Sequence, residues 1–344
     1  MTFKFTKLLG AAAAVAATTG FAAAQEVTLK LHHFLPIQAN VPKNILEPWA
    51  ERVQEATSNR VKIDRFYGMA LGGAPPQLMD QVLDGVADIT FTVIGYTPGR
   101  FPRSEAFELP FMMTNAGATS AAFWEYAENN MMDTDFADYK ILALWVHGPG
   151  MIHSNDPITS PGDLAGVKVR APTRVTNQMF TSLGATAVGM PVPAVPEALS
   201  KGVIDATVIP WEVTGALKVP ELVSNHTEFG DASLYTTTFV LALNKDVWDG
   251  IPADLQEIIM AESGAELSAF GGAQMQRDDA PGRAAAVDLG NNIITLSDDQ
   301  IQEWRDAAAG VEAAWVADMD SKGIDGAALA QEARDLIAKY TAMQ

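Results

Sequence analysis

The sequence contains no cysteine in its 344 residues, which excludes disulfides, thiolate metal sites and cysteine nucleophiles. Basic residues are scarce, since 23 Lys and Arg stand against 42 Asp and Glu, for a net charge of −19. So acidic a chain repels phosphate backbones, and we expect no nucleic-acid partner. Beyond residue 24 no apolar run approaches the length that spans a bilayer, which predicts a soluble mature protein.

The first residues have the composition of a signal peptide. Lys4 and Lys7 precede a short uncharged apolar stretch, which ends in alanines at positions 22–24. This arrangement predicts export to the periplasm with cleavage near Ala24. An uncleaved membrane anchor is the alternative, but the stretch is short and mostly alanine. Export usually permits disulfides, so their absence predicts stability from a large packed core, in line with 48% hydrophobic residues.

Strand-like and helix-like patterns alternate along the chain. Amphipathic helical patterns occupy 42–57, the segment ending near residue 83, and 173–183, and longer ones fill 252–278 and 298–342. The strand-like segments are 27–34, 61–66, 88–93, 167–170, 187–190, 206–209 and 238–243. This order predicts an α/β protein with parallel sheets covered by helices.

One short pattern occurs twice. Residues 85–90 and 202–207 both read G-V-x-D-x-T, and each copy lies between a helix and a strand. The glycine suits a helix C-cap, and the aspartate suits the turn into a strand. Chance similarity is the alternative, but the shared order of elements favours two related α/β lobes.

The arrangement of the two lobes can also be predicted. No stretch between the halves has the composition of a flexible linker, so we expect a hinge of ordered crossing segments around a ligand cleft. Lobe I should comprise 25–148 and about 236–275, and lobe II 149–235 and about 276–330. The C-terminal helical segment, to residue 344, should pack across both lobes.

Catalytic motifs are absent from the sequence. It has no H-E-x-x-H, G-x-S-x-G, P-loop or G-x-G-x-x-G. His32 and His33 are adjacent on a strand, so they face opposite sides and cannot chelate one metal together. The acidic run at 318–323 resembles a calcium loop, but Lys322 replaces an acidic ligand and no Glu follows at the twelfth position. We therefore expect a protein that is not an enzyme, with no cofactor and no metal.

Several fragments occur in the order and spacing of a known family. They are Leu71-Gly-Gly73, Gln81-Val-Leu-Asp-Gly-Val-Ala-Asp88, Phe107-Glu-Leu-Pro-Phe111, Pro161-Gly-Asp-Leu-Ala-Gly-Val-Lys-Val-Arg-Ala-Pro172, Leu183-Gly-Ala185, Met190-Pro191 and Gly202-Val-Ile-Asp205. From residue 27 to about 264, the chain resembles the substrate-binding proteins of TRAP transporters, the DctP-like family. Each fragment is weak alone, and their order over some 200 residues makes the match strong.

The resemblance implies a periplasmic binding protein fold. Two lobes joined by hinge strands and a long crossing helix would close on a small organic acid. The protein, expected as a monomer, would deliver the acid to integral membrane permease subunits that use an ion gradient rather than ATP. A periplasmic sensor for a membrane receptor is the alternative that the sequence leaves open.

The family's carboxylate-binding arginine falls on Arg170. This residue ends a predicted strand and precedes Ala171-Pro172, which breaks the sheet and directs the chain toward the cleft. A guanidinium fits a carboxylate bidentately, and charged hydrogen bonds of this kind contribute about 1.5–3 kcal/mol each. A surface arginine in an ordinary ion pair is the alternative.

Three positions depart from better-known relatives. Gly150 stands where many relatives that bind acidic sugars carry a second arginine. Ile209 replaces a ligand-contacting Asn, with Trp211 nearby, and Val192 stands where Phe is frequent. One guanidinium in apolar surroundings predicts a monocarboxylate with an aromatic or branched apolar body. A C4-dicarboxylate or a sugar acid is the alternative.

Other candidate ligand contacts lie at predicted strand ends. Phe34 and His33 end the first strand, Tyr96 follows the third, and Thr173 lies just after the predicted binding arginine. The aromatic side chains, Trp211 among them, would stack on the ligand, and Thr173 or His33 would bind a 2-oxo or 2-hydroxy group. Core packing is the alternative for the aromatic residues, and a structural role is the alternative for His33.

Overall fold

Two β-sheets form the framework of the protein. The computed structural model describes residues 1–2 and 26–343, so the predicted cleavage near Ala24 lies outside the described residues. The strands are β1 (Val27–His33), β2 (Val61–Phe66), β3 (Ile89–Val93), β4 (Tyr139–Val146), β5 (Met151–Ser154), β6 (Lys168–Ala171), β7 (Thr186–Gly189), β8 (Ala206–Ile209), β9 (Asn225–Glu228), β10 (Thr238–Asn244) and β11 (Asn292–Thr295). Their orders are β2-β1-β3-β10-β4 in the first sheet and β11-β9-β5-β8-β6-β7 in the second.

Helices cover both sheets. They are α1 (Glu47–Ala56), α2 (Leu78–Leu83), α3 (Ala116–Asn130), α4 (Arg174–Ser182), α5 (Val195–Ser200), α6 (Trp211–Leu217), α7 (Val219–Leu222), α8 (Lys245–Asp249), α9 (Ala253–Ala261), α10 (Gly264–Arg277), α11 (Asp279–Asp288), α12 (Asp298–Ala308), α13 (Gly310–Ser321) and α14 (Gly326–Thr341). Among the described residues, no helix combines the length and apolar character that a bilayer crossing requires.

The two sheets share one topology. In the first sheet β2, β1 and β3 are parallel, and β10 joins β3 antiparallel. In the second sheet β7, β6 and β8 are parallel, and β5 joins β8 antiparallel. β4 and β9 then continue the two series antiparallel, and β11 extends the second sheet. The expected α/β class with two lobes is confirmed.

The repeated G-V-x-D-x-T pattern forms equivalent corners in the two lobes. Gly85 and Gly202 have φ values of 70° and 65°, which a glycine adopts without steric cost after a helix. The Asp88 and Asp205 carboxylates each accept a backbone N–H from a neighbouring strand, at 2.7 and 3.0 Å. The repeat therefore builds the same helix-to-strand turn in each lobe.

The chain crosses between the lobes at three places. Residues 147–150 connect β4 to β5, and residues 229–237 connect β9 to β10. These two segments pair directly, because the Gly150 N–H donates to the Tyr235 carbonyl at 3.0 Å. The third crossing is helical, since α10 packs on α3 and β4 while α11 packs on α6. The hinge strands and the long crossing helix expected from the resemblance are both present.

The long helical patterns at 252–278 and 298–342 are interrupted in the structure. The first contains α9 and α10, separated near Ser263, and α11 continues beyond it. The second contains three helices, and Gly323 turns the chain before the last of them with a φ of 75°. β5, β9 and β11 were not expected, because segments of four residues are too short to give a clear alternation. The exact limits of the two lobes remain a prediction.

Candidate ligand-binding site

A cavity lies between the two sheets, at the ends of strands from both. Its cavity volume is about 40 Å³, roughly three times the 10–15 Å³ that one water molecule needs. Its lining residues are Phe34, Leu35, Val41, Val93, Tyr96, His147, Arg170, Pro172, Val192, Ile209, Pro210, Glu212, Val213, Tyr235, Thr237, Phe239 and Met275. The position agrees with the rule that open α/β sheets bind ligands beyond the carboxyl ends of their strands.

Arg170 is the cation of this cavity. It lies on β6 with 1% of its surface exposed. Its Nε donates to the Met190 carbonyl at 2.9 Å, and one terminal nitrogen donates to the Val208 carbonyl at 3.1 Å. The other terminal nitrogen, Nη2, is buried without a hydrogen-bond partner among the described residues. A buried positive charge with an unmet donor is costly, so the cavity is suited to an anion.

Two tyrosines lie close to the guanidinium. Tyr96 follows β3 in the first lobe, and its hydroxyl accepts the Val192 N–H of the second lobe at 2.9 Å. Burial raises the pKa of Tyr96, and the charge of Arg170 opposes that rise. Burial also raises the pKa of Tyr235, again against the effect of Arg170. Both phenols therefore keep their protons and can donate them to an anion beside Arg170.

Gly150 makes room for Tyr235. A Cβ atom built on Gly150 would lie 2.0 Å from Cε1 of the tyrosine ring. No side chain, including the second arginine found in relatives, could occupy this position without displacing that ring. The absence of the second charge and the presence of the phenol in the cavity therefore have one structural cause.

His147 is a neutral member of the wall. Its Nε2 lies 3.1 Å from the Thr237 hydroxyl, and its Nδ1 contacts the Gly148 carbonyl. Burial lowers the pKa of His147 to about 4, and the neighbouring charge of Arg170 contributes to the shift. At neutral pH the cavity thus has a single cation, which matches one carboxylate.

The remaining wall is mainly apolar, and both lobes contribute to it. Phe34 and Tyr96 pack edge to face with ring centroids 5.6 Å apart, and Phe239 lies on β10. Val192 and Ile209 face them from the second lobe, and each is less than 10% exposed. The structure thus brings together five of the residues chosen from the sequence: Arg170, Tyr96, Phe34, Ile209 and Val192.

Trp211 does not lie where the sequence analysis expected it. Its indole is not part of the cavity wall; it contacts the rings of His153 and His226, each with its centroid 4.9 Å away. The indole Nε1 donates to Glu228 at 2.9 Å. Trp211 was chosen for its place just after Ile209, but α6 begins at this residue, and the indole packs away from the cavity.

His33 and Thr173 also lie outside the cavity wall. The His33 ring packs against Tyr67 with centroids 5.3 Å apart, and its Nδ1 accepts the Leu35 N–H. Burial lowers the pKa of His33 to about 3. Thr173 caps α4 and lies on a separate surface groove that shares Tyr96 with the cavity. Neither side chain is placed to bind a 2-oxo or 2-hydroxy group in the cavity.

An acidic residue also lines the cavity. Glu212, on α6, is 5% exposed, and its backbone N–H donates to the Asp279 carboxylate at 2.8 Å. Burial, with Asp279 and Asp278 nearby, raises the pKa of Glu212 well above its usual value. Burial likewise raises the pKa of Asp279 to about 7. Burial and the neighbouring acids therefore favour the protonated form of Glu212, which lines the cavity.

The calcium-like run at 318–323 is a charged surface feature. Asp318 pairs with Lys322 at 2.8 Å and with Arg174 at 2.9 Å. Within the described residues, no group of three His, Asp or Glu side chains could hold a metal ion.

Sequence reasoning missed Tyr235, His147 and Glu212. Tyr235 and His147 lie on the crossing segments, and only knowledge of where the chain crosses between lobes places them at the cleft. Glu212 lies one residue after the tryptophan that was chosen, on the first turn of the same helix. The start of α6 was the local signal that could have found it.

Two matching α/β lobes around a cavity that contains a buried guanidinium are the architecture of hinged, two-lobed binding proteins. The profile of the family described as bacterial extracellular solute-binding protein, family 7 (DctP), matches residues 33–317. The chain belongs to this family.

Solved structures of similar proteins contain aromatic acids. A TRAP solute-binding protein from Rhodoferax ferrireducens T118, in complex with copurified benzoate, is 48% identical. A marine metagenome TRAP protein specific for aromatic acid ligands, in complex with 3-hydroxybenzoate, is 45% identical. Each match covers 92% of this chain and 99% of the other, with a TM-score of 0.90. The transporter protein TsaT of Comamonas testosteroni is 30% identical over 96% of both chains.

Proposed function

We propose that the protein is the solute receptor of a TRAP-type secondary transporter and that its solute is an aromatic monocarboxylate. The observation that carries the proposal is the buried guanidinium of Arg170, which has an unpaired Nη2 within a largely apolar cavity. One carboxylate would supply the missing acceptor and the compensating charge. A second carboxylate on the ligand would find no cation to pair with, because burial keeps His147 neutral.

The neighbouring phenols complete the proposed anion site. Tyr96 accepts the Val192 N–H and retains its own proton for donation. The hydroxyl of Tyr235 has no hydrogen bond to another residue in the described part of the chain. A carboxylate beside Arg170 would accept from the guanidinium and from one or both phenols, satisfying donors that the protein alone leaves open.

The body of the ligand is proposed to be aromatic rather than branched and aliphatic. The rings of Phe34, Tyr96 and Phe239 line one side of the cavity, and aromatic pairs contribute about 0.5–1.5 kcal/mol beyond burial. The benzoate and 3-hydroxybenzoate bound to the relatives at 48% and 45% identity support this choice. A sugar acid would leave hydroxyls unmet against Val192 and Ile209, at about 1–3 kcal/mol each.

The cellular role follows from the family and the N-terminus. We propose that the chain is exported, cleaved near Ala24, and acts in the periplasm as a monomer. It captures the acid by lobe closure, without chemistry, and hands it to membrane permease subunits. Uptake of labelled benzoate by proteoliposomes that contain the cognate permease, with and without this protein, tests the hand-over.

A thermal-shift panel on ligand-stripped protein tests the ligand class. Benzoate and hydroxybenzoates should raise the melting temperature by several degrees, since ligand at 100 times its Kd adds about 2.7 kcal/mol of stability. Branched 2-oxo acids, succinate and glucuronate form the comparison arms. Stabilisation by succinate or glucuronate alone would contradict the aromatic ligand while leaving the family assignment intact.

A further inference from the structure

The cavity has a second polar feature, Glu212, that a simple aromatic carboxylate would not use. The groups whose pKa values respond to the charge of Arg170 are Tyr96, His147 and Tyr235. The pKa of Glu212 responds instead to Asp279, Asp278 and the side-chain amide of Asn40. Both residues line one cavity, but their hydrogen-bond partners differ: Arg170 donates to the Met190 and Val208 carbonyls, whereas the backbone of Glu212 bonds to Asn40 and Asp279.

The surroundings of Glu212 leave it hydrogen-bonding capacity. Asn40 donates at 2.7 Å to the Glu212 backbone carbonyl and also acts on its side chain. One amide cannot satisfy both oxygens and the proton of a neutral carboxylic acid. No Lys or Arg of the described residues pairs with Glu212, although the side chain is almost fully buried. Burying this carboxyl group against apolar ligand atoms costs free energy. A polar substituent on the ligand would instead give it a hydrogen-bond partner.

We propose that Glu212 binds a hydroxyl group on the aromatic ring of the ligand, so that hydroxylated aromatic acids are the preferred solutes. This inference rests on the proposed function, because it takes the carboxylate to lie at Arg170. A neutral carboxylic acid can both donate to and accept from a phenolic hydroxyl. Glu212 therefore acts as a specificity-determining residue, separate from the anion site.

The experiment compares matched pairs of ligands by calorimetry. Benzoate, the hydroxybenzoates and the methylbenzoates with the same substituent position are titrated into wild-type protein. At one ring position at least, we expect the hydroxyl acid to bind at least about tenfold more tightly than its methyl counterpart. The methyl group has a similar size, so the ratio isolates the hydrogen bond from the filling of space.

Three variants then assign the preference to this side chain. Glu212→Met should reduce the ratio to about twofold, because the ring hydroxyl loses its hydrogen-bond partner. Glu212→Gln retains a donor and an acceptor, so it should keep most of the preference. Glu108→Gln is the matched control, since Glu108 is a buried acid with a pKa raised to about 7 that does not line the cavity. Melting temperatures of the unliganded variants check folding.

The possible outcomes separate this inference from the proposed function. An unchanged ratio in Glu212→Met would overturn the inference, and so would a parallel loss of benzoate and hydroxybenzoate binding, which would make Glu212 a closure contact. Tighter binding of 3-(aminomethyl)benzoate than of 3-hydroxybenzoate would overturn it too, by showing that the acids select a cation. Failure of every single-ring acid to bind the wild type would contradict the proposed function itself.

Discussion

Two buried aromatic clusters lie on either side of the end of β8, and they differ in how their polar groups are satisfied. In the cavity cluster, formed by Arg170, Tyr96 and Tyr235, the guanidinium retains an unpaired donor. In the indole cluster, formed by Trp211, His153 and His226, polar atoms bond to one another and to the protein around them. Burial and aromatic content are alike, so these properties do not identify a binding site. An unmet donor on a charged side chain that lines a cavity distinguishes the cavity cluster from the indole cluster.

The indole cluster has a complete internal network. Nδ1 of His153 lies 2.7 Å from Nδ1 of His226, and Nε2 of His153 lies 3.1 Å from the Ile209 carbonyl. Asn291 contacts the remaining nitrogen of His226 at 3.0 Å. Nothing in this cluster requires a ligand, so its substitution should change stability and leave binding intact. The cavity cluster should respond in the opposite way.

The largest effect is expected at Arg170. Arg170→Ala should lower benzoate affinity by about 2–5 kcal/mol, because the carboxylate loses a buried partner. Arg170→Lys should also lose most of the binding, since an ammonium cannot reproduce the fork. Calorimetric titration measures both variants, with Trp211→Phe as the matched control. Near-wild-type affinity in Arg170→Ala would remove the distinction between the clusters.

The histidines of the indole cluster should contribute to the loss of stability at acid pH. Burial lowers the pKa of His153 to about 3 and that of His226 to about 4, below the usual 6.5. The unfolded chain binds more protons than the folded one between these values, so stability present above pH 6.5 is lost toward pH 4. The loss attributable to His226 is about 3 kcal/mol.

Urea unfolding of wild type and His226→Gln across pH 4–8 isolates this contribution. The difference in unfolding free energy between the two proteins should narrow as the pH falls, because the variant lacks the titrating group. Buried acids with a raised pKa, such as Asp279 at about 7, stabilise the folded state as the pH falls. Because both proteins contain these acids, their contribution cancels when the two unfolding free energies are subtracted. A difference independent of pH would show that His226 is not held neutral by burial.

A smaller effect is expected at Gly150. The methyl group of Gly150→Ala would lie 2.0 Å from the Tyr235 ring, so the ring must move, at a cost of about 1–3 kcal/mol in stability and with a fall in benzoate affinity. Gly162→Ala is the matched control, since its Cβ atom would lie 3.6 Å from the Ser160 hydroxyl, an ordinary van der Waals contact. Equal affinities in both variants would show that the position of Tyr235 is irrelevant to the ligand.

Two further substitutions, one in each cluster, should separate the clusters in both directions. Tyr235→Phe removes a proposed donor and should cost about 1.5–3 kcal/mol of carboxylate affinity with little change in stability. Trp211→Phe removes the bond to Glu228 and should cost about 1 kcal/mol of stability with little change in affinity. Melting curves and calorimetric titrations give the change in stability and the change in affinity for each variant. A matching loss of affinity in Trp211→Phe would place the indole cluster in the binding site.

The sequence was most informative where a residue sits at a strand end. Phe34 and Tyr96 were chosen because a strand pattern stops beside them. Arg170 was chosen for that reason and for the family resemblance, and Ile209 for the resemblance alone; all four line the cavity. Reasoning from strand ends needs only local periodicity and the rule for parallel sheets. It did not extend to Trp211, because the direction of a side chain just after a strand depends on where the next helix begins.

Residues on the crossing segments could not be found in this way. Tyr235 reaches the cavity because residues 229–237 return from the second sheet to the first and pair with Gly150. Glu212 reaches it through the packing of α6 against α11. Both positions depend on contacts between distant parts of the chain, which local sequence patterns do not encode.

The most direct test of Arg170 as the carboxylate-binding residue is a crystal structure of the protein with bound benzoate. We expect the carboxylate of benzoate within hydrogen-bond distance of Arg170 Nη2 and of the Tyr235 hydroxyl. The benzoate ring should pack against Phe34 and make no contact with Trp211. A carboxylate bound elsewhere, with Arg170 Nη2 still unpaired, would contradict it.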